Sequence, residues 1–177
     1  MSKDTQVFYV HGFASTVKSD TLQKLQKFYP DAIGLTYDHT EPAKSIIQLT
    51  IQLQKYNDKN LVIVGSSLGG WYAEQLTKHI VADYILYNPC TEPHKSLAKY
   101  SVPSDVLNKY KVRETQCGPA SRTVIISVDD PVIHAAIADN KYKNTADMHY
   151  TAGGHRMTEE AMDVIVQKIN YLENQLP

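Results

Sequence analysis

The sequence contains only two cysteines, Cys90 and Cys117, in 177 residues. Two cysteines are too few for the disulfide framework of a small secreted domain, and no C-x-x-C pair suggests zinc or thiol redox chemistry. We therefore expect both to be reduced thiols. The chain also lacks an excess of charge of either sign, because 18 Lys and Arg balance 19 Asp and Glu. Nucleic acid is a poor candidate ligand, since surfaces that bind it are strongly basic.

Long hydrophobic runs are absent as well. No apolar run approaches the roughly 20 residues that cross a bilayer. Residues 1–6 are mostly polar and lead directly into a short apolar segment, which does not fit a signal peptide. We expect a cytoplasmic protein that does not bind membranes. A chain of this length buries roughly 70% of the surface that its unfolded form exposes, so it can form a core without a structural metal.

Short apolar runs rich in Val, Ile and Tyr alternate with longer segments of helical period. This alternation predicts parallel βα units in one α/β domain covering residues 1–177. Six strands are expected, at residues Val7–Val10, Ala32–Tyr37, Leu61–Val64, Tyr84–Tyr87, Thr123–Val128 and Met148–Thr151. Helices are expected at Asp20–Phe28, Pro42–Tyr56, Leu68–His79 and Thr158–Gln175. Because the apolar positions of the second helix nearly encircle its axis, a strand is the alternative there.

One segment, about residues 90–121, breaks the alternation. It contains Pro93, Pro103, Gly118 and Pro119 and has no long regular pattern. It is too long for a simple turn. An insertion after a strand's carboxyl end lies over the crevice where α/β sheets bind ligands, so we interpret it as a short cap over the site. The alternative is a surface excursion with two short helices that touches no ligand.

The strongest motif is Gly65-Ser66-Ser67-Leu68-Gly69, between a predicted strand and a predicted helix. This is G-x-S-x-G in a strand-turn-helix context, which is typical of a nucleophilic serine at the tip of a sharp turn. Residues two before and two after that serine must lack bulk, so that strand and helix can approach each other. Ser67 is therefore the candidate nucleophile and Ser66 its neighbour.

A serine nucleophile needs a base, and the base needs an acid to orient it. In chains with this motif the order is Ser, then Asp or Glu, then His. His155, in the glycine-flanked loop after the last predicted strand, is the candidate base. Asp129 and Asp130 both follow the fifth strand. We choose Asp130, which precedes a predicted short helix with Pro131 in its first turn. Helix capping would explain Asp130 equally well.

Acyl transfer also requires donors for the oxyanion that forms during attack. The motif points to the backbone N–H of the residue after the nucleophile, Leu68, and to one from the loop after the first strand. In that loop Gly12 allows the backbone to turn, which makes the N–H of Phe13 the second candidate. His11 either braces this loop or simply packs at the strand end.

These segments together resemble the YqiA/YcfP type of small bacterial esterase, a group of compact α/β-hydrolases. The resemblance rests on five segments in order along nearly the whole chain: His11–Ser15, Gly65–Tyr72, Tyr87–Pro89, Asp130–Val132 and Gly153–His155. It implies an α/β-hydrolase fold, with a mostly parallel sheet of about six strands and helices on both faces. It also implies carboxylesterase activity on short acyl esters, with Ser67, Asp130 and His155 as the triad.

The chain departs from this pattern at Cys90, where a small residue such as Ala is expected, and in the cap. Cys90 is a reactive thiol or, more simply, a buried inert one. We expect a small-molecule acyl ester as the substrate, with no cofactor and no metal. Two alternatives stay open: thioester or amide cleavage by the same triad, and a noncatalytic α/β-hydrolase fold that serves as a binding module.

Overall fold

A computed structural model describes residues 4–111 and 121–175. Its centre is a sheet of six strands: β1 (Thr5–Val10), β2 (Ile33–Leu35), β3 (Asn60–Ser66), β4 (Asp83–Tyr87), β5 (Arg122–Ser127) and β6 (Asp147–Thr151). The strands lie in the order β2-β1-β3-β4-β5-β6, and every neighbouring pair is parallel. This arrangement follows from the buried apolar runs, since parallel strands are covered on both faces.

Helices cover both faces of the sheet. The described helices are α1 (Asp20–Phe28), α2 (Pro42–Gln54), α3 (Leu68–Leu76), α4 (Pro93–Ser96), α5 (Ser104–Lys111), α6 (Ala135–Tyr142) and α7 (Glu159–Asn174), with a 3-10 turn at Ala98–Tyr100. Core side chains of α2, α3, α5 and α6 pack together on one face, and those of α1 and α7 pack on the other. The predicted α/β class is confirmed.

The structure settles the ambiguous second helix. Ile46, Leu49 and Leu53 are buried at spacings of three and four, whereas Ile47 and Ile51 are exposed. The two exposed isoleucines made the pattern nearly encircle the axis. The segment is a helix, and the alternative of a strand is wrong.

Most boundaries differ from the expected ones by one to three residues, and two of the differences bear on the site. β2 has three residues, ending at Leu35 rather than Tyr37. Tyr37 instead turns inward, and its hydroxyl donates to the His11 carbonyl at 2.9 Å. The helix expected at Pro131 begins at Ala135. The amides of residues 132 and 133 donate to Asp130, so this stretch forms a side-chain-bonded turn before the helix.

The predicted cap segment is described only as far as Lys111, and residues 112–120, which include Cys117, lie outside the described residues. Its helix α5 is fixed to the body of the protein. The Tyr110 hydroxyl donates to the His39 carbonyl at 2.7 Å, and Lys109 forms an ion pair with Glu41 at 2.8 Å. The part before α5 borders Ser67, because Leu97 and Tyr100 line the same cavity as the serine.

The topology opens a crevice between β1 and β3. The chain leaves β1 toward β2 on one side and later continues from β3 toward β4 on the other. The loops after β1 and β3 therefore diverge, and a crevice at the carboxyl ends of such strands is where open α/β sheets bind ligands. No helix within residues 4–111 and 121–175 is long and apolar enough to cross a membrane.

Candidate active site

Ser67 occupies the sharp turn between β3 and α3. Its φ of 51° lies in the left-handed region, which a non-glycine residue adopts only when its surroundings hold it there. Two hydrogen bonds provide that hold: the Ser67 N–H donates to the Tyr87 carbonyl at 3.0 Å, and the Cys90 N–H donates to the Ser67 carbonyl at 2.9 Å. The turn exposes the serine side chain at the crevice.

The two motif glycines permit close packing around this turn. A Cβ on Gly69 would lie 2.0 Å from the Val10 carbonyl oxygen and 2.4 Å from that of His11. A Cβ on Gly65 would lie 2.6 Å from the Gly69 oxygen. Helix α3 thus begins in direct contact with the end of β1, which brings Ser67 beside the loop that follows β1.

The structure brings Ser67, His155 and Asp130 together. His155 Nε2 lies 3.1 Å from Ser67 Oγ, and His155 Nδ1 lies 2.7 Å from Asp130 Oδ2. A carboxylate only accepts hydrogen bonds, so Nδ1 carries the ring proton of the neutral imidazole. Nε2 is then the acceptor for the Ser67 hydroxyl. This arrangement can remove the serine proton during attack on a carbonyl carbon.

The Asp130 carboxylate is buried and held in its ionised form. Burial raises its pKa, but the hydrogen bonds from His155 and from the N–H groups of Ile133 and Val132 lower it further than burial raises it. The net result is a pKa below the ordinary value of 3.8. Its Oδ1 accepts the two backbone bonds at 2.7 and 3.0 Å, leaving Oδ2 for the imidazole.

Asp129 has a different role from its neighbour. Its carboxylate accepts from the N–H groups of Gly153 and Gly154, at 2.9 and 3.0 Å, and from the Ser127 hydroxyl at 2.8 Å. It therefore anchors the glycine loop that carries His155. Of the two aspartates that the sequence left open, the structure places Asp130 against the imidazole.

Tyr87 and Asn88 hold the same loop from the other side. The Tyr87 hydroxyl donates to the Arg156 carbonyl at 2.9 Å and to the Gly154 carbonyl at 3.2 Å. Asn88 Nδ2 also donates to Gly154, and its Oδ1 accepts from the Ser127 N–H at 2.7 Å. Sequence reasoning assigned no role to these residues. The Tyr87-Asn88-Pro89 segment signalled them only as part of the resemblance.

The loop after β1 lies against the serine. A Cβ on Gly12 would be 3.2 Å from Ser67 Cβ, so Gly12 lets the loop approach. Within the described residues, the N–H groups of Phe13 and Leu68 have no hydrogen-bond acceptor, which leaves both free for a substrate. Both residues line a cavity with Ser67 and His155.

His11 packs in the protein interior and also braces the loop that follows β1. Its ring is buried and stacks on Tyr37 at 4.7 Å between centroids, and its Nδ1 lies 2.9 Å from the Gly12 carbonyl oxygen. Burial lowers its pKa, although the bond to Gly12 acts in the opposite direction. The two interpretations from the sequence, packing at the strand end and bracing the loop, therefore both apply to His11, which supports the Gly12–Phe13 loop from beneath.

Cys90 is buried beside the site. Burial raises the pKa of its thiol to about 11, and the hydrogen-bonding and charged groups around it offset only part of that shift. Since the thiolate is the reactive species, this cysteine acts as a small apolar side chain. The interpretation of Cys90 as a reactive thiol finds no support.

Ser67 is reached from two cavities. The larger is a cleft of about 610 Å³ and the smaller measures about 170 Å³. Phe13, Ser67 and His155 line both of them. The candidate nucleophile and base therefore lie where two separate parts of a substrate can meet.

The sheet, the serine turn and the hydrogen-bonded trio define a protein of the α/β-hydrolase fold with a Ser-His-Asp site. The chain belongs to the family described as "Uncharacterised protein family (UPF0227)", whose sequence profile matches residues 6–169. This membership confirms the resemblance to YqiA/YcfP-type proteins. A UPF0227 protein of Shewanella woodyi is 28% identical over 134 residues, which are 70% of this chain and 75% of that protein.

Solved structures share the fold. Alpha/beta hydrolase domain-containing protein 10 from mouse superposes with a TM-score of 0.76 at 13% identity, over 99% of this chain and 92% of that one. An esterase from Pyrococcus furiosus superposes with a TM-score of 0.68 at 15% identity, over 99% of this chain and 83% of that one. At such identities the similarity concerns the fold alone.

Proposed function

We propose that this protein is a serine hydrolase, acting as a carboxylesterase on short-chain acyl esters, with Ser67 as nucleophile, His155 as general base and Asp130 as its orienting acid. The observation that carries the proposal is the unbroken chain of contacts, 3.1 Å from Ser67 Oγ to His155 Nε2 and 2.7 Å from His155 Nδ1 to Asp130. The esterase named among the structures of this fold makes esters the first substrates to test.

The first half-reaction forms an acyl-enzyme. Ser67 Oγ attacks the ester carbonyl carbon while its proton moves to His155 Nε2. The resulting oxyanion is stabilised by the N–H groups of Phe13 and Leu68. The bond to the alcohol oxygen then breaks, and the imidazolium returns its proton to that oxygen, so the alcohol leaves neutral.

The second half-reaction repeats these steps with water. His155 removes a proton from a water molecule, which attacks the acyl carbon, and the imidazolium protonates Ser67 Oγ as the acyl bond breaks. The products are a carboxylic acid and the regenerated serine. Asp130 keeps its negative charge throughout and stabilises the imidazolium that forms in each half.

The test is labelling with a fluorophosphonate, followed by intact-mass analysis and peptide mapping. Only a serine activated by a base reacts rapidly with this probe. We expect one adduct, on Ser67, that is lost in Ser67→Ala and in His155→Ala. Ser66→Ala is the matched control, because Ser66 is the adjacent serine and its hydroxyl pairs with that of Tyr9 at 2.8 Å; this variant should still be labelled.

Ester hydrolysis provides the second measurement. Loss of a placed base removes about 10²–10⁴ in rate, so His155→Ala and Ser67→Ala should nearly abolish turnover of p-nitrophenyl acetate. If the Ser67→Ala protein kept hydrolysis within a few-fold of the parent, the proposal would be wrong. A folded protein that neither labels nor turns over esters would favour the noncatalytic binding module. Matched oxygen, sulfur and nitrogen acyl substrates separate an esterase from a thioesterase or amidase.

A further inference from the structure

The smaller cavity at Ser67 is mostly apolar and partly open to solvent. Beyond the three residues that it shares with the larger cleft, its lining is Ala14, Leu68, Cys90, Ser96, Leu97, Tyr100, Val132 and Ile133. Leu97 and Ile133 are buried, so the protein interior fixes one wall. The protonated Cys90 thiol adds no charge there. Such a lining favours a hydrocarbon group over a polar one.

The volume of this cavity limits what it can hold. It measures about 170 Å³. An apolar protein cavity of about 150 Å³ accommodates benzene. A chain of about six carbon atoms therefore fills the space, and a longer one has to extend past the side chain of Tyr100, which lines the cavity and is 47% exposed.

The larger cleft has the opposite character. Hydroxyl-bearing side chains make up much of its lining: Tyr9, Ser15, Ser19, Thr21, Ser66 and Tyr87, besides Ser67 itself. At about 610 Å³ it is more than three times the size of the apolar cavity. It is suited to a group that makes hydrogen bonds.

Arg156 adds donors to this cleft. It follows His155 directly and its side chain is exposed. Lys24, the other cation of the lining, pairs with Glu159 at 2.6 Å, whereas no carboxylate within the described residues forms an ion pair with Arg156. The guanidinium is therefore available to a polar or anionic substituent of a substrate.

The position of the base indicates which cavity takes the acyl group of a substrate and which takes the alcohol. The departing alcohol takes its proton from His155, so it lies on the side of the His155 loop. His155 and Phe13 line both cavities, but only the larger cleft extends along Arg156 and Met157, directly after the base, and only the smaller cavity is lined by the oxyanion donor Leu68. The acyl group therefore faces the small cavity, and the alcohol faces the cleft.

We propose that the physiological substrate joins a small apolar acyl group, of up to about six carbon atoms, to a larger polar alcohol that contacts Arg156. This proposal rests on the proposed function and names the substrate class and its orientation at that site.

The acyl half is tested with p-nitrophenyl acetate, butyrate, hexanoate, octanoate and decanoate. We expect kcat/KM to fall by about tenfold or more between hexanoate and octanoate, because the two added carbon atoms must push against the Tyr100 side chain, and a misfit of one or two methylene groups in an apolar pocket costs about tenfold or more. Tyr100→Ala opens this cavity and should raise the octanoate-to-acetate ratio about tenfold. Tyr171→Ala is the matched control, since Tyr171 is similarly exposed, 55% against 47% for Tyr100, and is not part of the lining of either cavity.

The alcohol half is tested with glycerol monoacetate and pentyl acetate, whose alcohols have equal numbers of non-hydrogen atoms. We expect kcat/KM to favour the glycerol ester by about tenfold, the worth of one well-placed hydrogen bond. Arg156→Met keeps an unbranched apolar chain but removes the guanidinium donors, and it should abolish most of this preference. Lys78→Met, an exposed change outside the cleft lining, should leave the preference intact.

Failure of this inference differs from failure of the proposed function. Equal or better turnover of decanoate, or a preference for pentyl acetate that Arg156→Met does not alter, would overturn the inference while leaving the esterase in place. So would faster hydrolysis of methyl esters of large polar acids, which need the reverse orientation. Absence of both turnover and Ser67 labelling would instead overturn the proposed function.

Discussion

Asp129 and Asp130 are adjacent in the chain and bind the same loop by different means. Asp130 accepts from the His155 ring at 2.7 Å, whereas Asp129 accepts from the backbone N–H groups of Gly153 and Gly154 at 2.9 and 3.0 Å. One carboxylate therefore orients the base, and the other fixes the backbone that carries it. The loop depends on both, but only one acts on the imidazole.

The two aspartates should differ in their effect on catalysis. Asp130→Asn removes the acceptor that fixes the imidazole tautomer, and we expect kcat for p-nitrophenyl acetate to fall by about 10⁴. Asp129→Asn keeps an acceptor near the glycine loop and should lower kcat by no more than about tenfold. Steady-state kinetics on both variants provide the measurement. Equal falls in kcat for the two variants would contradict the assignment of Asp130 as the triad acid.

Asp129 should also make stability depend on pH. The N–H of Gly154, the Ser127 hydroxyl and the N–H of Gly153 hold the pKa of this carboxyl below its ordinary 3.8. A carboxyl whose pKa is lower in the folded state contributes stability above its unfolded pKa and loses that contribution as the pH falls through the folded value.

We therefore expect the Tm difference between the parent and Asp129→Asn to be constant above about pH 5 and to shrink below about pH 4. The other carboxylates are common to both proteins, so the difference isolates Asp129. Thermal unfolding followed by circular dichroism across this range is the measurement. A difference that grew on acidification would contradict the assigned hydrogen bonds.

Asn88 and Tyr87 act on His155 only through its loop, which makes them positioning residues. Both donate to the Gly154 carbonyl. Asn88→Asp replaces that donor by an acceptor, and Tyr87→Phe removes the hydroxyl. We expect each change to lower kcat about tenfold with little change in KM. The fall in kcat of the double variant should be smaller than the product of the two single falls, because the two bonds share one acceptor.

The control for these variants is Asn140→Asp, an exposed change on α6, outside the His155 loop and outside the lining of both cavities. It should leave kcat unchanged. Rates of fluorophosphonate labelling at Ser67 should follow kcat across the set, since both depend on the base. A drop in Tm with normal labelling rates would indicate that Asn88 and Tyr87 serve stability alone.

The order of strands and helices could be predicted because each element carries its own local signal. Helix α7 illustrates this, since Thr158 caps it by accepting from the Ala161 N–H at 3.1 Å, as its position before the apolar period suggests. Boundaries set by tertiary contacts could not be predicted. Tyr37 leaves β2 to bond the His11 carbonyl, and that partner is 26 residues away.

The residues of the candidate site likewise divide into those that could be predicted from the sequence and those that could not. Ser67 could be located because the turn around it demands glycines at fixed spacing. The choice between Asp129 and Asp130 could not be made with certainty, because both follow β5 and both are suited to bond backbone N–H groups. The role of Asn88 had no local signal at all, since its partners Ser127 and Gly154 lie 39 and 66 residues further along the chain.

Cys90 should be inert in the folded protein. Its thiol is buried and its pKa is raised to about 11, so almost no thiolate exists near neutral pH. In a Cys117→Ser background, which leaves Cys90 as the sole cysteine, we expect iodoacetamide to modify the native protein very slowly and the urea-unfolded protein rapidly. Mass spectrometry gives both rates. Rapid modification of the native protein, with loss of ester hydrolysis, would restore the interpretation of a reactive thiol.

Gly69 should be the least replaceable residue of the serine turn. An added Cβ would lie 2.0 Å from the Val10 carbonyl oxygen, and backbone cannot swing aside as a side chain does. We expect Gly69→Ala to reduce the free energy of unfolding by about 3 kcal/mol or more. Gly70→Ala is the matched comparison, because its new Cβ would meet the Pro89 side chain at 2.9 Å, and its loss should be smaller. Urea unfolding measures both. If the two variants were equally stable, the close contact between α3 and the end of β1 would not be what requires glycine here.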